Sequence, residues 1–162
     1  MDAIQLLRSM HADARTSFKL ILGAAEPTAA AQEWERLQPQ LDLHERIEDQ
    51  FVYAPLRAEM GPGTPLGDWD IQHEADVTAV KRLIAEVGQL EAGTPTWQMG
   101  IAAVFELLSK HILIEENAIF GRIVQVWPAE RLNQVGAEME QAVAQETRTS
   151  RRGAKQAAGA RA

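Results

Sequence analysis

Apolar positions recur along most of this chain at alternating spacings of three and four residues, which is the period of an α-helix with one buried face. Four such stretches occur, and turn-forming segments at 23–27, 61–67 and 93–95 separate them, with a Trp-Pro pair at 127–128 after the fourth. The predicted buried positions of the first two stretches are Ile4, Leu7, His11, Ala14, Phe18, Ile21 and Leu37, Leu41, His44, Glu48, Phe51, Pro55. Those of the other two are His73, Val77, Val80, Ile84, Val87 and Trp97, Ile101, Val104, Leu108, His111, Glu115, Ala118.

Long helices joined by short loops predict an all-α fold, an up-down-up-down antiparallel four-helix bundle. A weaker fifth helix is expected from Pro128 to about Thr147, packed on the outside of the bundle. Its apolar positions are Leu132, Val135, Met139 and Val143. Pro39 is expected to kink the second helix or to shift its start, and Pro55 to bend its last turns.

The composition of the 162 residues is that of one domain, which we place at residues 1–147. The segment 148–162 holds five basic residues, no acid and no large apolar residue, so we predict a disordered basic tail. With no apolar run long enough to cross a bilayer and no signal peptide, we expect no membrane partner and a cytoplasmic location. The net charge of −7 argues against nucleic-acid binding through the bundle, and the sequence does not identify protein partners.

The four histidines of the chain, His11, His44, His73 and His111, all fall on predicted buried positions, one in each helix. In two helices a glutamate follows four residues later, as Glu48 and Glu115, so that each pair projects from the same helix face. Four imidazoles and two carboxylates in an apolar core are costly to bury unless something satisfies them. They could simply hydrogen-bond to one another, but two such pairs plus two further histidines favour a metal site.

The chain has no cysteine, so its metal ligands would be nitrogen and oxygen atoms only. Six side chains suit a dinuclear centre with carboxylate bridges, for which iron is the natural metal and manganese the alternative. Structural zinc is disfavoured because four ligands would complete one site and leave two side chains over.

These residues carry a resemblance to a known family. The segments HERIEDQFVYAPL, QHEAD and HILIEENAIF, together with His11, resemble the hemerythrin-like HHE cation-binding family over about residues 1 to 125. The order H-HxxxE-H-HxxxE is that of a bacterial subgroup. The resemblance implies an oxo- or hydroxo-bridged non-haem diiron centre in which Glu48 and Glu115 bridge and the four histidines are terminal ligands.

One departure from the oxygen-carrying hemerythrins bears on function. Those proteins have a second histidine four residues after the one in the third helix, and this chain has Val77 there. A metal with one imidazole fewer keeps an open position or recruits another side chain, and an open position favours redox chemistry over reversible oxygen storage.

Tyr53, the only tyrosine, is a candidate additional ligand, although an ideal helix places it about 140° away from Glu48. The alternative is a tyrosine packed near the end of the bundle with its hydroxyl in water.

Three glutamates, Glu45, Glu74 and Glu116, each adjoin a proposed ligand in sequence and are expected to support it or to lie on the surface. Each of the four tryptophans, Trp34, Trp69, Trp97 and Trp127, is expected to pack in the core near a helix end.

The sequence thus favours a diiron protein that acts on O2-derived species, most concretely by catalase-like decomposition of hydrogen peroxide. It leaves open whether the protein is an enzyme, and it identifies no catalytic residue beyond the metal centre. A non-catalytic protein that binds O2 or nitric oxide, or senses iron or redox state, is the alternative, and a metal-free structural bundle is the third. No GxSxG, P-loop or HExxH motif indicates another class of enzyme.

Overall fold

The computed structural model describes residues 1–61 and 63–159, and within these ranges every regular element is helical. The helices are α1 (Ala3–Gly23), α2 (Pro27–Glu48), α3 (Ala54–Met60), α4 (Pro65–Val87), α5 (Pro95–Ile114), α6 (Phe120–Val126) and α7 (Ala129–Gly159). The predicted all-α bundle is confirmed: α1 packs along α2 and α5, and α4 packs along α5.

Local sequence explains where the main helices begin. Asp2 caps α1 in a reciprocal arrangement with Gln5, and the side chains of Thr64 and Thr94 cap α4 and α5. A proline stands in the first turn of α2, α4 and α5, where its missing N–H costs nothing. Gly61 ends α3 with a φ of 60°, a conformation that glycine adopts readily.

Two π-helical turns interrupt what the sequence predicted as regular helices. Asp49–Tyr53 joins α2 to α3, and Glu115–Ile119 joins α5 to α6. In the first turn the backbone N–H of Ala54 donates to the carbonyl of Asp49, five residues back. Pro55 follows directly and has no N–H for a regular helical bond, which favours the irregular turn.

Each π-helical turn changes which residues face the core beyond it. The extra residue in the turn rotates the following helix by about 100° relative to a regular continuation. As a result Val52 and Ile119 are buried, while Phe51 is only partly buried and Ala118 is exposed. The predicted core positions at Phe51 and Ala118 were therefore wrong by one residue.

The second helix is continuous from Pro27 through Pro39, so Pro39 does not shift its start.

The fifth predicted helix is α7, and Leu132 and Met139 are buried in a cluster that includes Leu7 of α1. This helix continues to Gly159, where a disordered tail from Arg148 was expected. Alanine, arginine, lysine and glutamine, which dominate this segment, have high helix propensity, and this favours continuation. Residues 160–162 of the predicted tail lie outside the described part of the chain.

The apolar core is divided into two clusters. One, around Leu7, Val52, Leu56 and Phe120, lies against α7, and the other, around Phe18, Trp34 and Trp97, fills the opposite end of the bundle. All four tryptophans are buried, as expected. Among the described residues, no helix is long and apolar enough to span a membrane.

Candidate metal centre

The six predicted ligands meet in the middle of the bundle. His11 comes from α1, His44 and Glu48 from α2, His73 from α4, and His111 and Glu115 from the end of α5 and the turn after it. Five of the six are buried, with His11 1 %, His73 2 % and both glutamates 0 % exposed, and His44 is partly buried. Because these residues come from four long helices and the turn after the last of them, the fold itself brings them together.

The two carboxylates lie between the imidazoles. An oxygen of Glu48, Oε2, is 3.5 Å from Nε2 of His44 and 3.7 Å from Nε2 of His73. The other carboxylate, Glu115, places Oε2 3.4 Å from Nε2 of His11 and Oε1 3.3 Å from Nε2 of His111. Oε1 of Glu115 also lies 3.7 Å from Nε2 of His73, so Glu48 approaches histidines of two helices and Glu115 those of three. Most of these separations are too long for good hydrogen bonds.

The six side chains form two overlapping groups. His11, His44 and Glu48 offer one set of donor atoms, and Glu48, His73, His111 and Glu115 offer the second, with the donor atoms of each set within 4.8 Å of one another. Glu48 belongs to both groups. Two ions sharing this carboxylate would account for the grouping.

The buried polar atoms that lack a hydrogen-bond partner are concentrated here. In the described part of the chain they are His44 Nδ1, Glu48 Oε1 and Oε2, His73 Nε2, His111 Nδ1 and Glu115 Oε2. Each such atom costs about 1–3 kcal/mol, more when it is charged, so a cluster of them demands compensation. Cations bound among these side chains would supply that compensation, and imidazole with carboxylate is a donor set that suits iron.

The two carboxylates are electrostatically unlike. Burial raises the pKa of Glu48 well above its usual range, and the neighbouring charge of Glu115 raises it further. Burial also opposes ionisation of Glu115, but the adjacent imidazoles of His11 and His111 outweigh it and hold its pKa below the usual value. The pair therefore does not easily hold two negative charges without a cation.

Two of the histidines, His44 and His73, are held in their neutral, metal-binding form. Burial lowers the pKa of His44 to about 3 and that of His73 to about 4. His111 differs, because Glu115 beside it raises its pKa despite burial. The Nε2 atoms of His11 and His44 lie 3.2 Å apart and both point into the site.

Tyr53 lies inside the site and not in water. It is fully buried, its hydroxyl donates to Glu115 Oε1 at 2.9 Å, and Nε1 of Trp69 donates to the same hydroxyl at 2.9 Å. Its ring packs on that of His73 with 4.1 Å between centroids. The alternative of a solvent-exposed hydroxyl is therefore wrong. Burial and the two carboxylates raise the pKa of this tyrosine well above its usual value.

The glutamates adjacent to the ligands have different surroundings. Glu116 accepts from Nδ1 of His11 at 2.9 Å and is bound by both terminal nitrogens of Arg15. This pairing orients His11 so that its Nε2 faces the centre. Glu45 is partly buried, and its burial raises its pKa to about 7, whereas Glu74 is 69 % exposed.

Two contacts at the centre were not foreseen from the sequence. Trp69 was expected only to pack in the core, yet it also binds the Tyr53 hydroxyl and stacks on His111 at 5.9 Å. Asp76 lies 3.9 Å from Nδ1 of His111. The position of Asp76, three residues after His73 and next to Val77 on the helix, was the only signal that could have indicated it.

The fold and the cluster define a class: a helical-bundle protein with a buried histidine and carboxylate site for metal ions. The model of the hemerythrin HHE cation-binding domain matches residues 2–123, and the chain belongs to this family. No curated protein and no solved structure matches the chain at a significant level. Metal binding, with iron as the typical metal, follows from the family together with the cluster.

Proposed function

We propose that the centre holds two iron ions and decomposes hydrogen peroxide in a catalase-like cycle. In such a centre Glu48 and Glu115 would bridge the ions, His11 and His44 would bind one, and His73 and His111 would bind the other. The contacts that support these roles are the approach of each carboxylate to histidines of two or three helices.

The observation that carries the proposal is the set of buried, unpartnered donor atoms. Within the described chain they belong to five of the six predicted ligands, all except His11. In a structural bundle without metal, these buried atoms would stay without partners and would lower the stability of the fold. A dinuclear metal centre removes it and explains why so many polar atoms converge.

The ligand count supports redox chemistry. Val77 stands where oxygen carriers have a histidine, so the protein offers six histidine and glutamate ligands to two ions, with Tyr53 as a further oxygen nearby. Two iron ions can take up and return two electrons, and this is what the conversion of two peroxides to two waters and O2 requires. On one side of the centre the rings of Tyr53 and Trp69 are buried against His73.

Tyr53 is proposed as an additional ligand. Its hydroxyl already lies 2.9 Å from Glu115 Oε1, so only a small displacement separates it from the centre. The hydrogen bond from Trp69 to the phenol oxygen partly offsets the effect of burial and of the carboxylates on the Tyr53 pKa, and a bound cation would supply the remaining stabilisation of a phenolate. Manganese in place of iron would use the same residues.

The test is O2 release after peroxide is added to iron-loaded protein. We expect turnover that is lost in His73→Ala and kept in Glu74→Ala, which changes the exposed neighbouring residue. Metal analysis should give two irons per chain. Iron-loaded protein without turnover, but with a reversible spectral change between O2 and argon, would reject the enzyme and support the non-catalytic O2-binding alternative.

A further inference from the structure

A cavity of about 1000 Å³ adjoins one side of the metal centre. It lies among α1, α2, α4, α5 and α7, and three of the proposed ligands, His11, His44 and His111, line it. From His44 to Leu37, both on its wall, it follows α2 for about 10 Å at 1.5 Å per residue. The metal centre is thus reached from a space much longer than one peroxide molecule.

The walls of this cavity are mainly apolar. They are formed by Leu37, Leu41, Val77, Val80, Ile84 and Leu108. Val77, the residue that replaces the histidine of the oxygen carriers, lies on this wall one helical turn after His73. The missing ligand therefore opens the site toward an apolar space.

The size of the cavity exceeds what hydrogen peroxide needs. A water molecule occupies about 30 Å³ of liquid, and peroxide is only slightly larger, whereas pockets of 300–1000 Å³ with few polar groups are typical of sites for whole organic molecules. An apolar wall next to the centre contributes little to the affinity of a molecule as small and polar as peroxide. It would contribute to that of a molecule with an apolar body.

The charges at the rim argue against an anionic ligand. Arg36 lines the cavity but is already bound to Glu33 and to Ser17, the latter at 2.8 Å. The charge of Lys81 acts on Glu45, and further acidic side chains, Asp13 and Asp42, also line the space. No cluster of free cations is present among the described lining residues, so an uncharged molecule fits best.

We infer that this cavity binds uncharged organic hydroperoxides, with the apolar body against the valine and leucine wall and the peroxide group at the histidines. The inference rests on the proposed peroxide chemistry and names a second substrate class for it. The organic hydroperoxide ROOH accepts two electrons and two protons, its O–O bond breaks, and ROH and water leave. Hydrogen peroxide supplies the two electrons and two protons and becomes O2, so that ROOH and H2O2 give ROH, H2O and O2.

Binding is tested first, with cumyl alcohol as an unreactive analogue of cumene hydroperoxide and with calorimetry as the readout. Val80→Phe places a ring in the cavity, and Val124→Phe makes the same change at a residue that is 52 % exposed and outside it. We expect saturable binding to the wild type and to Val124→Phe, and at least tenfold weaker binding to Val80→Phe. Ala14→Leu, a smaller filling change, replaces Val80→Phe if that variant does not fold.

Absence of saturable binding to the wild type, or equal affinity in the filled variants, would overturn the inference.

The second measurement is consumption of cumene hydroperoxide by iron-loaded protein in the presence of hydrogen peroxide. We expect Val80→Phe to slow this reaction at least tenfold more than it slows O2 release from hydrogen peroxide alone, and Val124→Phe to leave the ratio of the two rates unchanged. Turnover of hydrogen peroxide without any consumption of cumene hydroperoxide would refute the substrate class, whereas analogue binding without either turnover would refute the proposed function and leave the cavity as a binding site.

Discussion

The Tyr53 hydroxyl donates a hydrogen bond to Glu115 across the bundle, and each residue belongs to one of the two π-helical turns. Tyr53 is the last residue of the first turn, and Glu115 is the first residue of the second. A regular helix would have directed Tyr53 away from the face that carries Glu48. The irregular turn is therefore what brings the only tyrosine to the metal centre.

Phe120 occupies the position in the second half of the chain that Tyr53 occupies in the first, nine residues after the histidine. It stacks on His11 with 5.8 Å between centroids, as Tyr53 packs on His73. In both halves of the bundle an aromatic ring at the same position thus packs on a histidine of the centre, but only Tyr53 carries a hydroxyl. A phenylalanine is evidently compatible with this location, so a variant without the hydroxyl should fold.

We predict that Tyr53→Phe removes a phenolate-to-iron charge-transfer band from the visible spectrum of the oxidised protein. The variant also leaves Nε1 of Trp69 without its acceptor, so the free energy of unfolding should fall by about 1–3 kcal/mol. Trp69→Phe is the control, because it removes the indole donor but keeps the phenol. A band unchanged in Tyr53→Phe would show that this tyrosine only packs beside the centre.

The helices and the six clustered residues were predictable because both depend on regular helical spacing. Three- and four-residue steps put His44 with Glu48 and His111 with Glu115 on one face, and the structure places both pairs in the centre. The family assignment followed from the order of the same residues and is confirmed over residues 2–123.

The spacing argument failed where the helical period itself changes. A π-helical turn leaves little trace in the apolar pattern, so the rotation that buries Val52 and Tyr53 could not be derived from it. Long-range contacts such as the one between Trp69 and Tyr53 depend on this rotation. The cavity also could not be predicted from the sequence, because Val77 indicated a missing ligand but not the space beside it.

We predict that Glu48→Gln abolishes stoichiometric iron binding without destabilising the metal-free protein. In the metal-free protein Glu48 is a buried carboxyl with two unpartnered oxygens. Replacing it with a neutral amide is therefore expected to raise the free energy of unfolding by up to about 1 kcal/mol. The wild type should gain about 4 kcal/mol from iron at a thousand times its dissociation constant, and the variant should not. Metal analysis and urea unfolding with and without a chelator measure both effects. A metal-free variant much less stable than the wild type would assign Glu48 a structural role.

We predict that Glu116→Gln weakens iron binding about 10- to 100-fold, the usual effect of losing a partner that orients a ligand histidine. The substitution weakens the acceptor for Nδ1 of His11 and breaks the charge pair with Arg15. Glu74→Gln is the matched control, because Glu74 adjoins His73 in sequence but is 69 % exposed. Competition with a chromogenic chelator gives the affinities. Equal losses in the two variants would indicate a general charge effect and not orientation of His11.

A final prediction concerns pH and the contact between α3 and α7. Glu59 is bound by Arg131 and by Nε1 of Trp127 at 3.2 Å, and the Arg131 guanidinium lies 4.0 Å above the Trp127 ring. The hydrogen bonds from Arg131 hold the pKa of Glu59 below its usual value. A carboxyl with a lowered pKa stabilises the fold above its unfolded pKa, and this contribution is lost as the pH falls through the folded pKa.

Glu59→Gln should therefore lower the free energy of unfolding at pH 7, by no more than about 1 kcal/mol because the pair is partly exposed and screened. The difference from the wild type should shrink as the pH falls below about 4, where the wild-type carboxyl takes up its proton. Urea unfolding across this range checks it, with Glu130→Gln as an exposed control. If the variant loses the same free energy of unfolding at pH 3 as at pH 7, the loss comes from packing at Trp127 and not from the charge of Glu59.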